Sequence, residues 1–156
     1  ADLMATNDIL IGGEESGGIT IKGHVPMGDG ILMGLLLLEI MSQRGEPLHV
    51  ITRELNQDLG PFFYGRNDLR TAPFSKSDLV RRLVESAPGS LAGLRVVSIN
   101  DRDGVKYLFE NGSWLLIRPS GTEPVLRVYA EARSREQVNE LLRTGVDLSE
   151  TMRNGS

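Results

Sequence analysis

Ser113-Trp-Leu-Leu-Ile-Arg-Pro-Ser-Gly-Thr-Glu-Pro-Val-Leu-Arg-Val-Tyr-Ala-Glu-Ala132 reads as two strands joined by a short loop. Ser113 to Ile117 and Val125 to Ala132 are rich in β-branched, aromatic and leucine side chains, and Arg118-Pro-Ser-Gly-Thr-Glu-Pro124 between them carries turn formers. The loop also carries a specific chemistry. Arg118 offers a planar fork of donors suited to two phosphate oxygens, Ser120 and Thr122 add neutral donors, and Gly121 lets backbone N–H groups approach closely. Arg127 adds a second guanidinium on the outgoing strand. Pro, Ser, Gly and Thr equally build an ordinary hairpin turn, so residue types alone leave a phosphate site and a plain turn both open.

Upstream of this hairpin, Leu94 to Asn100 and Val105 to Glu110 are further strand candidates, joined through Asp103-Gly104 and Asn111-Gly112 turns. Short connections between adjacent strands imply an antiparallel sheet. Downstream, Ser134-Arg-Glu-Gln137 matches a capping box, and Val138, Leu141, Leu142 and Val146 form the apolar face of a closing helix. A polar tail expected to fray follows Asp147. A second helix, about Lys76 to Ala87, repeats Leu79, Val80, Leu83 and Val84 at helical spacing and stops at Pro88-Gly89. Asp101, Asp103, Gly104 and Glu110 imitate part of a calcium loop, but Ile99 occupies its first ligand position and the flanks are strands, so the segment is assigned to a hairpin turn. Trp114 and Tyr107 are expected as core or sheet-face aromatics.

The first third has a different character. Asp8 to Ile11 reads as a short buried strand running into Gly12-Gly-Glu-Glu-Ser-Gly-Gly18, with a second apolar stretch at Ile19 to Ile21. The glycine-rich loop has neither the Lys-Ser/Thr ending of a P-loop nor the spacing of a dinucleotide fingerprint, and Glu14 and Glu15 would repel a phosphate. Carboxylates beside Ser16 suit sugar hydroxyls, or else a solvated acidic turn. Asp29 is a candidate N-cap for a helix reaching about Gln43, ended near Gly45 and apolar almost all round. Such a helix calls for cover on several faces, more than the forty-odd residues before Gly45 can provide; the expectation is a chain that starts inside a domain. His24 has only the distant His49 as a second imidazole, which argues for a surface or supporting role rather than a metal site. Pro47 opens another helix, stopped by Gly60-Pro61, and Phe62 to Pro73 reads as a strand or linker.

The 156 residues carry a net charge of −4, with 40% hydrophobic residues and no cysteine. This excludes a disulfide framework, a thiolate metal site and a cysteine nucleophile, and it argues against nucleic acid as the main partner. There is no uninterrupted apolar run of membrane-spanning length and no signal-peptide pattern, so neither a membrane partner nor export is expected, and the location expected is cytoplasmic.

Taken together, the two loops resemble a known family. Gly-Gly-Glu-Glu-Ser-Gly-Gly-Ile at Gly12 to Ile19 resembles the sugar-binding loop in the third domain of the α-D-phosphohexomutases, the phosphoglucomutase/phosphomannomutase family. Arg118 to Pro124, followed by Val125 to Ala132, resembles the phosphate-binding loop of the fourth domain. The resemblance covers almost the whole chain. It implies an enzyme that interconverts hexose 1- and 6-phosphates through a phosphoserine and a bisphosphorylated sugar, with Mg²⁺. It implies that Glu14 and Ser16 hold sugar hydroxyls, with Glu15 between them, and that Arg118, Ser120, Gly121 and Thr122, supported by Arg127, hold the phosphate not being transferred. Neither the family's Thr-Ala-Ser-His-Asn-Pro serine loop nor its Asp-Gly-Asp-x-Asp-Arg metal loop occurs in the chain. The expectation is therefore a C-terminal part with no catalytic or metal residue of its own, inactive alone, whose Mg²⁺ is bound elsewhere and whose partners are a hexose phosphate and the N-terminal domains of the same protein. Gly28 stands where relatives often carry a basic residue, and Lys22 is the nearby substitute.

The expected architecture is α+β: a four-stranded, mainly antiparallel sheet packed on helices, preceded by a partial α/β domain. Residues 1–60 form the partial domain, 61–75 a linker or extended segment, 76–150 the phosphate-binding domain and 151–156 the polar tail. Self-association through Ile31 to Met41 is a further expectation. The alternative to a mutase part is a free-standing phosphosugar-binding or oligomerisation domain.

Overall fold

The computed structural model describes residues 4, 6–13, 18–25, 27–121 and 123–154, which fall into two units, Ala1–Asp58 and Leu59–Ser156. In the N-terminal unit, β1 (Ile11–Gly13) and β2 (Ile19–Ile21) form an antiparallel hairpin with Ile11 opposite Ile21 and Gly13 opposite Ile19. The buried strand expected at Asp8 to Ile11 is corrected: the strand starts at Ile11, and both Leu10 and Ile11 are exposed. Ladder pairing with Ile19–Ile21 fixes the register at the glycines, two residues later than the apolar run indicates.

Helix α1 (Gly30–Arg44) begins where expected. The Asp29 carboxylate accepts from the N–H groups of Ile31 and Leu32 at 3.0 and 3.1 Å, and His24 Nε2 lies 2.8 Å from its other oxygen. The His24 contact first, and the Leu32 N–H second, hold the Asp29 carboxyl below the usual range. Gly45, at φ 66°, closes the helix with its N–H on the Met41 carbonyl. None of the helix's residues is buried, and Ile31, Leu35 and Leu38 are exposed at 80%, 60% and 62%. Helix α2 (Leu48–Leu59) follows Pro47, and Arg44 at the end of α1 pairs with Glu54 on it.

The C-terminal unit is a six-stranded antiparallel sheet in the order β3-β8-β7-β6-β5-β4. Its centre is the four strands foreseen from sequence: β5 (Leu94–Asn100), β6 (Val105–Phe109), β7 (Trp114–Pro119) and β8 (Val125–Ala132). Two edge strands extend it, β3 (Phe63–Arg70) beside β8 and the two-residue β4 (Ser90–Leu91) beside β5. Alternate residues face two ways. Val105, Tyr107, Leu115, Ile117 and Val128 point to the side covered by α3 (Lys76–Glu85) and α4 (Arg135–Asn154) and are buried there with Leu79, Leu83 and Leu141.

Ser134 caps α4 as the sequence indicates, accepting from the Gln137 N–H at 3.1 Å, and Ser75 caps α3 in the same way, accepting from the Asp78 N–H. The tail expected to fray after Asp147 is corrected, since α4 continues to Asn154. Leu148 and Met152 prolong its apolar stripe onto the core, Ser149 is buried against the Gly145 carbonyl, and Arg82 donates to the Met152 carbonyl. Polar composition concealed a spacing that still presents one apolar face. Among the described residues, no helix is long and apolar enough to cross a membrane.

Candidate functional site

The sheet face turned away from α3 and α4 carries the candidate site. Cross-strand register puts Arg118 on β7 directly opposite Arg127 on β8, and Asp68 on β3 opposite Arg127 on its other side. Two like charges directly opposite each other destabilise a strand pair unless an anion or a carboxylate lies close by. Here carboxylates surround them. Arg118 Nε lies 2.9 Å from Asp103, and Arg127 lies 3.8 Å from Glu123. Asp103 is the main cause that raises the Arg118 pKa further above its ordinary value, with the Tyr129 hydroxyl contributing less. Asp68 is engaged by Arg66, which reaches both its oxygens at 2.6 Å; this pairing first, with Arg127 adding to it, holds the Asp68 carboxyl below the usual range.

Arg127 Nε on this face is buried and without a hydrogen-bond partner among the described residues, and the buried Tyr129 hydroxyl stands beside the Arg118 guanidinium as an acceptor, which leaves its own proton to donate. Tyr129 is only 1% exposed although it lies on the face opposite the core packed by α3 and α4. Tyr64, with its ring centroid 6.5 Å away, and Arg66, standing 5.3 Å over the ring, shield it. A buried unpaired donor and a phenol proton next to two guanidinium groups make a site that an anion with several acceptor oxygens completes. Further along the face, Trp114 donates to Glu131 at 3.0 Å and lies under the Lys106 ammonium, 4.1 Å from the ring centroid.

The loop from Pro119 to Pro124 is held from three sides. The Ser120 N–H donates to the Val125 carbonyl at 2.8 Å, Lys76 at the start of α3 donates to the Gly121 carbonyl at 2.9 Å, and the Thr71 N–H donates to the Pro124 carbonyl at 3.0 Å. Ser120 is buried, and its Oγ accepts from the Glu123 N–H at 3.4 Å, a contact that does not use the hydroxyl proton. Beside the loop opens a cavity of about 530 Å³ lined by Asp68, Arg70, Thr71, Glu123, Pro124 and Val125.

Of the residues singled out from sequence, Arg118, Ser120, Gly121 and Arg127 therefore gather in one loop and strand pair. Thr122, Glu14, Glu15 and Ser16 lie outside the described residues. Lys22 pairs with Asp8. At Gly28 a side chain would come within 3.2 Å of the Gly18 Cα, so a basic residue there would require the neighbouring backbone to move. Among the described residues no group of three histidine or carboxylate side chains could hold a metal. Sequence reasoning missed Tyr129, Arg66, Asp68, Asp103 and Lys76. Tyr129 was accessible to it, being two residues beyond Arg127 and so on the same face. The others reach the site across long stretches of chain.

The chain matches the phosphoglucomutase/phosphomannomutase alpha/beta/alpha domain III over residues 1–59 and the phosphoglucomutase/phosphomannomutase C-terminal domain over residues 79–146. It is 32% identical to a phosphoglucomutase/phosphomannomutase of Thermococcus kodakarensis over 96% of this chain and 30% of that protein. It is 34% identical to a phosphoglucosamine mutase of Methanocaldococcus jannaschii over 95% of this chain and 31% of that protein. A crystal structure of a phosphoglucomutase/phosphomannomutase family protein from Burkholderia thailandensis shares the fold at a TM-score of 0.71 with 21% identity, over 99% of this chain and 31% of that one. The chain thus spans about a third of the length of the curated relatives it matches. By two consecutive domain matches and the fold they share, this chain belongs to the phosphoglucomutase/phosphomannomutase family, of which it carries domain III sequence followed by the C-terminal domain.

Proposed function

We propose that the chain supplies the binding half of a phosphohexomutase: its C-terminal unit anchors the phosphate of a hexose phosphate that is not being transferred. The observation that carries this is the cross-strand pair Arg118 and Arg127, with a buried, unpaired Arg127 Nε and the Tyr129 hydroxyl proton available to an incoming oxygen. Arg118 and Arg127 provide charged donors, Ser120 and Thr122 hydroxyls, and Gly121 an approachable backbone. A firm anchor at one end of the sugar orients the other end for phosphoryl transfer, so its contribution to rate is positional. The sugar-hydroxyl role of Glu14 and Ser16 rests on sequence resemblance alone.

The remaining chemistry belongs outside this chain. A phosphoserine nucleophile and a Mg²⁺ ion would come from other domains of the same protein, which fits the one-third coverage of the relatives. The chain by itself is then inactive, and the whole protein a cytoplasmic enzyme of carbohydrate metabolism. The uncovered leucines and isoleucines of α1 support self-association of the isolated chain through Ile31 to Met41. Titration with α-D-glucose 1-phosphate or α-D-mannose 1-phosphate, followed by amide NMR, tests the anchor. Perturbations should cluster at Arg118 to Thr122 and at Arg127, and Arg118→Ala should abolish them. Unchanged spectra at millimolar ligand rule out a preformed phosphate pocket.

A further inference from the structure

The turn that imitates part of a calcium loop is built against β7, the strand that leads into the phosphate loop. Asn100 at its start accepts the Arg102 N–H at 3.1 Å, and the ladder resumes with Val105 opposite Ile117. Between them Gly104, at φ 89°, packs so closely on β7 that a Cβ would collide with the Ile117 carbonyl oxygen and come within 2.9 Å of the Arg118 Cα. That close approach delivers the preceding side chain to Arg118, where Asp103 Oδ2 meets Nε at 2.9 Å.

We propose that Asp103 is a positioning residue for the phosphate anchor: it holds the Nε edge of the Arg118 guanidinium so that the two terminal nitrogens are presented to the ligand. The inference rests on the reading that Arg118 binds phosphate. An arginine has five donors in a rigid fork on a flexible stem, and its value at an anion site depends on which edge faces the ligand. Asp103 occupies one edge and restricts the stem. The Asp103 side chain is 73% exposed, so the pair adds little to fold stability. Solvent likewise screens its repulsion of a bound phosphate. Orientation and repulsion act in opposite directions on phosphate affinity.

The experiment compares the parent chain with Asp103→Ala, Asp103→Asn and Arg118→Ala by calorimetric and NMR titration with α-D-glucose 1-phosphate. The fold is checked through amide dispersion, and the Arg118 Nε–Hε signal is followed directly. Removing Asp103 should weaken binding about 3- to 10-fold through lost preorganisation, and the Nε–Hε signal should broaden into solvent exchange. Asp103→Asn keeps an acceptor for Nε while removing the charge; it should bind within about threefold of the parent and retain the signal. Equal or tighter binding by Asp103→Ala overturns the proposal, because Asp103 would then be only a competing charge. An Asn variant as weak as the Ala variant overturns it as well, since an acceptor would not suffice. If the parent itself shows no binding, the phosphate-anchor reading fails first and the positioning role falls with it.

Discussion

Replacing Gly104 with Ala tests whether the β5–β6 turn is pinned to β7. Two costs add. The backbone at φ 89° lies in a region that side chains rarely adopt, worth about 1–2 kcal/mol for a residue with a Cβ. The new Cβ would also collide with the Ile117 carbonyl oxygen and lie 3.1 Å from the Arg118 Cβ. A backbone oxygen in a central strand cannot rotate aside, so the turn must lift and the Val105–Ile117 pairing at the start of β6 must weaken. Together the loss is about 2–4 kcal/mol, which for a unit of about a hundred residues lowers the Tm by roughly 10–20 °C. Thermal unfolding followed by near-UV circular dichroism gives the number. Gly104→Asn separates the two costs, because Asn tolerates positive φ yet still carries a Cβ; it should be nearly as damaging as Ala. A Tm within about 2 °C of the parent for both variants would refute the close approach, and with it the delivery of Asp103 to Arg118.

Tyr107 is fully buried, donates to the Leu83 carbonyl at 2.9 Å, and has its pKa pushed up to about 12 by burial. A pKa raised in the folded state means that the folded chain holds the proton where the unfolded chain has lost it, so stability is intact below about pH 10 and falls as pH rises towards 12, by at most about 1.4 kcal/mol per unit. Tyr107→Phe should cost about 1–2 kcal/mol at neutral pH, through the unpaired Leu83 carbonyl, and should remove that alkaline slope; parallel pH curves for parent and variant would contradict the assignment. At Gly145 in α4 a Cβ would meet Val128 Cγ1 at 2.7 Å and Leu115 Cδ1 at 2.9 Å. Helix propensity favours Ala there by about 1 kcal/mol, whereas overpacking costs about 1–3 kcal/mol, so Gly145→Ala should lower the Tm modestly; a higher Tm would show that α4 stands further from the sheet.

Much of the fold was legible because it is written in local pattern. Alternating side chains from Val105 to Phe109 and from Val125 to Ala132, with Asp-Gly and Asn-Gly turns, mark antiparallel strands within a few residues of their observed ends. Asp29 and Ser134 announce helix starts because a capping oxygen acts on N–H groups two or three positions away. Where short-range signals conflicted, the reading slipped. Leu10 and Ile11 are apolar but exposed, and the polar letters after Asp147 hid Leu148 and Met152, which continue the buried stripe of α4.

The sequence by itself determined the antiparallel hairpin that carries Arg118 and Arg127, the loop between them and the family to which both loops point. Tertiary structure decided what surrounds that pair. It docked β3 on β8, bringing Asp68 and Arg66 alongside, set Lys76 on the Gly121 carbonyl, buried the Tyr129 hydroxyl and pressed Gly104 against β7 so that Asp103 meets Arg118. The physical reason is range. Turn chemistry and side-chain periodicity act over a few residues, whereas the docking of an edge strand or a distant turn is set by many weak contacts between segments far apart in the chain, which no short stretch encodes.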